Sequence, residues 1–375
     1  MSQVVIENPI INSPFDEPAR HFKFSDDGIT NEIVESRRLS SYFLPIAKPK
    51  KKLPKGLPSD MEWTEDRIEE NKLVNDIRRR VGLWRKDGYP GVTHITSRLL
   101  SHWTDPERDR RLFFCQTEAL ETIIYLTEVA RKNNDLWIEN ALREANREAN
   151  NGLPRTAFKM ATGSGKTVVM AMLIAWNALN KRESPQDARF SDTFLVVTPG
   201  ITIRDRLRVL LPNDPENYYR QHDLVPAELR ENLEQAKILV TNFHGFQLRE
   251  TVKTGKITKS ILTDGQPSPF TETPDQMVRR VCRELGNKKN IIILNDEAHH
   301  CYRRKESPGE EALTGEDRQE AKEREEEARV WISGLEAVNS KIGIRAVYDL
   351  SATPFFLSGS GHPEGTPFTW VVSDF

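Results

Sequence analysis

The chain has 375 residues, enough for about two domains, with a net charge of -2 and 29% charged residues. That balance excludes a chain that grips nucleic acid through bulk positive charge, so any such contact must come from local patches. No apolar run reaches the ~18 residues of a membrane helix, the polar, Pro-containing N-terminus lacks a secretory pattern, and three widely spaced cysteines, Cys115, Cys282 and Cys301, predict a reducing, cytoplasmic setting.

Residues 1 to about 60 read as irregular, because Pro9, Pro14 and Pro18 break any periodicity. The run KPKKKLPK at 48–55 reads as a solvated basic linker that can also touch phosphates. Residues 64–87 predict a helix, with Thr64 as N-cap and Glu65 and Asp66 in its first turn. Ile68, Leu73, Val74, Ile77, Val81 and Trp84 recur at about helical spacing and predict its packing face. A second short helix is expected over 91–103. Residues 1–105 thus read as an extension packed on a domain formed by 106–375.

From Leu112 the pattern alternates between β and α. A helix over Gln116–Arg131 precedes an Asn-rich polar connection, a short strand at Arg155–Lys159 and an apolar helix at Val168–Asn180. Further strands are expected at Phe194–Val197, Lys237–Thr241, Asn290–Leu294 and Ile344–Leu350. This order predicts an α/β fold with a parallel sheet and helices on both faces. The charge-dense stretch 303–329 reads as a surface arm or inserted helix.

Three segments carry chemistry. Met160-Ala161-Thr162-Gly163-Ser164-Gly165-Lys166-Thr167 lies between a strand and a helix. Gly163 and Gly165 let backbone N–H groups of Thr162 to Thr167 wrap a phosphate, and the helix aims its positive end at the same anion. Lys166 is placed to reach the β- and γ-phosphates and the Thr167 hydroxyl to hold Mg²⁺. The usual GxxxxGK[ST] pattern would put Gly at Met160. The second segment, Asn295-Asp296-Glu297-Ala298-His299-His300, ends an apolar strand. Asp296 is assigned to Mg²⁺ and Glu297 to the attacking water. The tandem histidines lack zinc spacing, so His299 is expected to couple this segment to the third, Ser351-Ala352-Thr353-Pro354. There Ser351 and Thr353 can report the state of the γ-phosphate.

Taken together, MATGSGKT, the TPG of Thr198–Gly200, the TNFH of Thr241–His244, DEAHH and SATP resemble the first RecA-like domain of superfamily 2 helicases and translocases. The upstream RLFFCQTEA, VVTPGITIRDRLRVLLPNDPENYY and INSPFDEPARHFKF are most similar to the Res subunit of type III restriction enzymes. The resemblance implies a RecA-like P-loop NTPase domain that hydrolyses ATP with Mg²⁺, with Gln116 reading adenine. It implies duplex DNA as partner, a modification methyltransferase subunit that reads the recognition site, and a second RecA-like domain with an arginine finger followed by a nuclease domain. Neither later part is evident before Phe375, so the expectation is a truncated or split enzyme, weak alone. A non-catalytic nucleotide-binding or interaction module needing a partner chain is the alternative.

The DNA track is expected at strand ends, where Thr198, Gly200 and Thr241 can meet phosphate oxygens. Arg204 and Arg208, four residues apart on the next helix, can add charge or form surface salt bridges. Asn242 and Phe243 read equally as turn and packing residues.

Overall fold

The computed structural model describes residues 8–25, 28–43, 68–250, 271–303, 316–356, 360 and 365–375. Its centre is a six-stranded sheet built from β5 (Arg155–Lys159), β6 (Thr193–Thr198), β7 (Lys237–Asn242), β8 (Ile291–Asp296), β9 (Ile344–Ser351) and β10 (Val371–Asp374). The strands lie in the order β10-β5-β9-β8-β6-β7, and every pairing is parallel. All C-terminal strand ends therefore share one edge, where ligands of such sheets bind.

The parity of each strand divides its side chains between two cores. Ile292 and Leu294 of β8 join Phe194, Val196, Tyr348 and Leu350 on one face. Ile291 and Ile293 join Leu195, Val197 and Val347 on the other. This two-sided burial explains why NIIIL is apolar throughout rather than alternating. The first face is covered by α2 (His94–Thr104), α3 (Phe114–Ile124) and α5 (Lys166–Glu183), the second by α7 (Pro274–Val281) and α8 (Glu316–Lys341). Helix α5 is buried on nearly every side, from Val168 to Asn180.

The N-terminal part departs from the expected irregular coil. Strands β1 (His21–Ser25) and β2 (Gly28–Val34) form an antiparallel hairpin, and β3 (Ser41–Phe43) pairs with β4 (Ile68–Glu70). Helix α1 spans Lys72–Lys86, with Asn71 accepting from the Val74 N–H. The helix thus begins later than its sequence pattern predicts, because Ile68 is drawn into strand pairing. Thr64 and the basic run 48–55 lie outside the described residues. Ile77, Val81 and Trp84 of α1 enter the same core as α3 and α5, and the Trp84 indole donates to the Pro90 carbonyl.

One further expectation is corrected and one is extended. The Asn-rich connection holds α4 (Leu136–Ala149), whose Ile138 and Asn146 are buried; Asn146 donates to the Arg155 carbonyl. The described part of the charged stretch is helical and runs on into α8, whose later half turns Ala328, Trp331, Ile332, Leu335 and Val338 inward. Residues 304–315 lie outside the described residues.

Candidate nucleotide site

Strand β5 delivers the chain to the C-terminal edge, and its exit is anchored there. The Met160 N–H donates to the Ser351 carbonyl at 2.8 Å, joining the loop root to the end of β9. Met160 is wholly buried and is not among the left-handed residues, so the loop needs no glycine there. Gly163 and Gly165 do take left-handed backbone, with φ of 84° and 88°. A Cβ on Gly165 would also stand 2.1 Å from the Gln116 carboxamide nitrogen, so a side chain here would be strained and would displace the Gln116 amide from the loop. Ser164 closes the turn by donating its hydroxyl to Ala161 O at 2.6 Å.

Helix α5 starts at Lys166, so its first N–H groups and positive end face the loop. Thr162 is exposed, whereas Ser164, Lys166 and Thr167 are half-buried. Gln116 is nearly buried on α3. Its amide donates to the Ser164 carbonyl at 3.0 Å, and its oxygen accepts the Phe113 N–H at 3.0 Å. In this structure the side chain therefore braces the phosphate loop.

The acidic segment arrives from β8, two strands away. Lys166 Nζ lies 2.8 Å from Glu297 Oε1, so residues far apart in the chain converge on one spot. Glu297 holds left-handed backbone, with φ and ψ both 49°. For a non-glycine residue this conformation costs about 1–2 kcal/mol. Asp296 is 9% exposed. Burial, and then the neighbouring Glu297 charge, push its carboxyl up to about 6 against the pull of Lys166.

His299 Nδ1 and Ser351 Oγ share a hydrogen bond at 2.9 Å, and the Thr353 N–H donates to the same hydroxyl at 3.1 Å. Burial and the adjacent His300 bring His299 down to about 4, so the ring is neutral at pH 7. Its 3.5 Å approach to Glu297 is then no ion pair. These hydrogen bonds join the acidic turn, through His299, to the end of β9.

A comparison with protein families agrees with this geometry. The family described as type III restriction enzyme, res subunit, matches residues 110–356, more than half of the 375. The chain belongs to that family. Comparison with curated proteins and with solved structures finds no match. Family and sheet together make this res-family chain a helicase-like ATP-binding motor domain with a RecA-like α/β fold.

The residues proposed for DNA are placed unevenly on this res-family domain. Thr198 is wholly buried, and its hydroxyl donates to the Gly200 carbonyl at 2.9 Å. This corrects the expectation of a direct phosphate contact, since the hydroxyl shapes the turn instead. Gly200 caps α6 (Ile201–Arg206). Arg204 is half-exposed and pairs with Asp205 at 3.0 Å. Arg208 lies beyond the end of α6, in a 3₁₀ turn, and pairs with Asp214 at 3.2 Å; the two arginines do not share one helix. The Thr241 hydroxyl donates to Asn242 O at 3.3 Å. Asn242 caps the following turn, and Phe243 stacks on Trp331, so both serve folding.

One group escaped the sequence reading altogether. Directly beneath the acidic turn, Arg155 and Asp349 form a completely buried ion pair at 2.8 Å. Asp349 also accepts from Asn295 Nδ2 and Trp370 Nε1, each at 2.8 Å, and Asn295 Oδ1 accepts from Trp331 Nε1 at 3.2 Å. Asn295 is the residue before Asp296, so the network holds the strand from which both acids project. A signal existed: Arg155 and Asp349 are charges inside apolar strands, where charge survives only if paired.

Proposed function

We propose that this domain binds and hydrolyses ATP, and that it couples hydrolysis to movement on duplex DNA as part of a restriction enzyme. The convergence of Lys166 with Asp296 and Glu297 beside a twice-glycine loop carries the reading. Loop N–H groups and the head of α5 receive the β- and γ-phosphates, and Lys166 adds the counter-charge. A bound triphosphate competes with Glu297 for this ammonium, leaving the Glu297 carboxylate to orient the attacking water. Gln116 braces the loop, and its outer amide edge would meet adenine.

The donors suit a divalent cation. Asp296 is a nearly buried carboxylate with raised proton affinity, the condition a cation relieves, and Thr167 adds a hydroxyl in the first turn of α5. Mg²⁺ held by Asp296 and Thr167 would neutralise charge on the phosphates. His299 and Ser351 link this site to the end of β9 and serve as the sensor of its state. Gly200, Arg204 and Thr241 supply the DNA-facing edge, where Arg204 must exchange Asp205 for a phosphate. A methyltransferase subunit, a chain supplying the arginine finger and nuclease, and a cytoplasmic setting complete the proposal.

The Lys166–Glu297 pair also favours a second reading. The candidate base is held on the lysine, as expected of a module that binds nucleotide but turns over only with a partner domain. ATP hydrolysis measured with duplex DNA, single-stranded DNA, RNA and no nucleic acid separates the readings. Stimulation by duplex DNA supports the motor, stimulation by RNA alone refutes the DNA assignment, and binding without turnover favours the module. Lys166→Ala is expected to weaken ATP binding by about 100-fold through loss of a charged hydrogen bond. Unchanged affinity would refute the site.

A further inference from the structure

A cavity of about 890 Å³ opens against the outer side of the phosphate loop, with Thr162 and Ser164 in its wall. This is the size of a small-ligand site. One side is the head of α3, with Phe113, Phe114 and Cys115. The opposite side comes from two stretches of the N-terminal region, residues 10–20 and 37–41, which precede the family match. The lining is mostly apolar, and its cations are largely paired already: Arg20 with Glu35, Arg37 with Glu17 and Glu118, and Lys159 with Asp374, while Arg38 lies over the Phe24 ring. An aromatic and apolar slot edged by guanidinium groups suits a flat heterocycle joined to a sugar.

The N-terminal stretches are seated by specific contacts. The Phe114 N–H donates to the Pro14 carbonyl at 2.8 Å, and Phe15 packs on Phe113 with ring centres 5.7 Å apart. Arg37 forks onto Glu118 of α3 at 2.7 and 2.6 Å, and Glu118 is 1% exposed. Bidentate, desolvated contacts of this kind are the strong ones. Glu118 lies one half-turn from Gln116, which donates to Ser164 of the loop. Helix α3 thus carries both the seat of Arg37 and the brace of the phosphate loop.

We infer that residues 10–20 and 37–41 form a strap that closes the nucleoside end of the ATP site, so that base and ribose lie between this strap and Phe113–Cys115. The inference rests on the nucleotide reading above and adds a role for a region outside the family match. Strap and phosphate loop then divide the ligand. The loop and Lys166 hold the triphosphate, and the strap holds what distinguishes a nucleotide from bare polyphosphate.

The test compares ATP with inorganic tripolyphosphate, both with Mg²⁺, on the full chain by calorimetry. Leu39 lines the cavity yet is exposed, so Leu39→Glu alters the wall without opening a core. It is expected to weaken ATP about 10-fold, roughly the value of one lost contact, and to leave tripolyphosphate unchanged. Arg37→Ala, which unseats the strap, should show the same split. Hydrogen exchange gives a second readout: ATP should protect residues 10–20 and 37–41, and tripolyphosphate should not. Equal weakening of both ligands, or of neither, overturns the strap, as does ATP binding without protection there. If the wild-type chain binds neither ligand, or if Lys166→Ala binds both normally, the nucleotide reading itself fails.

Discussion

Two cation–carboxylate pairs lie close together in this protein and do opposite work. Arg155 and Asp349 are sealed between strands with no exposure, and indole and carboxamide donors occupy the remaining lone pairs of Asp349. Lys166 and Glu297 stand at the sheet edge with side chains 13% and 30% exposed. Neither member of the first pair can leave without stranding a charge in low dielectric. Either member of the second can exchange its partner for a ligand or water. The charges are alike in kind, and burial decides which pair is architecture and which is available for chemistry.

The largest expected effect probes the sealed pair. Asp349→Ala leaves Arg155 uncompensated and should lower stability by about 3–5 kcal/mol, read as a shift of the urea midpoint at constant slope. A loss below about 1 kcal/mol would place the two pairs in the same class. The open pair should answer differently. Glu297→Gln is expected to keep ATP affinity within a few-fold and to cut DNA-stimulated hydrolysis by about 100- to 1,000-fold, as for loss of a positioned base. Full turnover would show that another group places the water.

Asp296 sharpens the contrast through pH. Its carboxyl rises from 3.8 to about 6, so the folded state holds the proton more tightly than the unfolded state does. Stability of the metal-free fold should therefore fall as pH rises from about 4 to 6, by up to about 3 kcal/mol from this group. Mg²⁺ affinity should rise across the same window, since the cation needs the ionised form. Denaturation of the wild type and Asp296→Asn at pH 4.5 and 7 isolates this contribution; parallel curves would argue against the raised carboxyl. The smallest effect is expected at Ser351→Ala, which removes the shared hydrogen bonds to His299 and Thr353. A loss of about 1 kcal/mol, with hydrolysis reduced more than binding, would fit a coupling role. Equal changes in both would make Ser351 a simple structural residue.

Local patterns explain how much was legible. The strand at Arg155–Lys159 was read to the residue, because a β-branched and aromatic run ends at a glycine-rich turn. The ends of β6, β7, β8 and β9 moved by a residue or two. The hairpin β1–β2 and the short strands β3 and β4 were not legible. Strands β3 and β4 pair across a stretch punctuated by Pro45, Pro49, Pro54 and Pro58, and three-residue strands carry no periodicity; β1 and β2 are joined by Asp26 and Asp27 alone, but the prolines just before them point to coil. Strand β10 was missed for a related reason: Val371–Asp374 is a strand only because β5 offers a free edge. Helix α4 was hidden by asparagines of low helix propensity, two of which turn out to be buried partners of Arg155 and its strand.

At the site, Lys166, Thr167, Asp296 and Glu297 are candidates from the sequence because phosphate and metal chemistry demand particular residue types at particular ends of elements. The sequence by itself determined the α/β alternation, the glycine loop and the acids that follow an apolar strand, since each depends on residues adjacent in the chain. Only the tertiary structure decided that Glu297 rests on Lys166, that Thr198 faces inward, that Arg155 neutralises Asp349, and that the N-terminal stretches wall a cavity beside the loop. Those outcomes depend on which surfaces exclude water together, and a linear pattern does not encode which distant surfaces will meet.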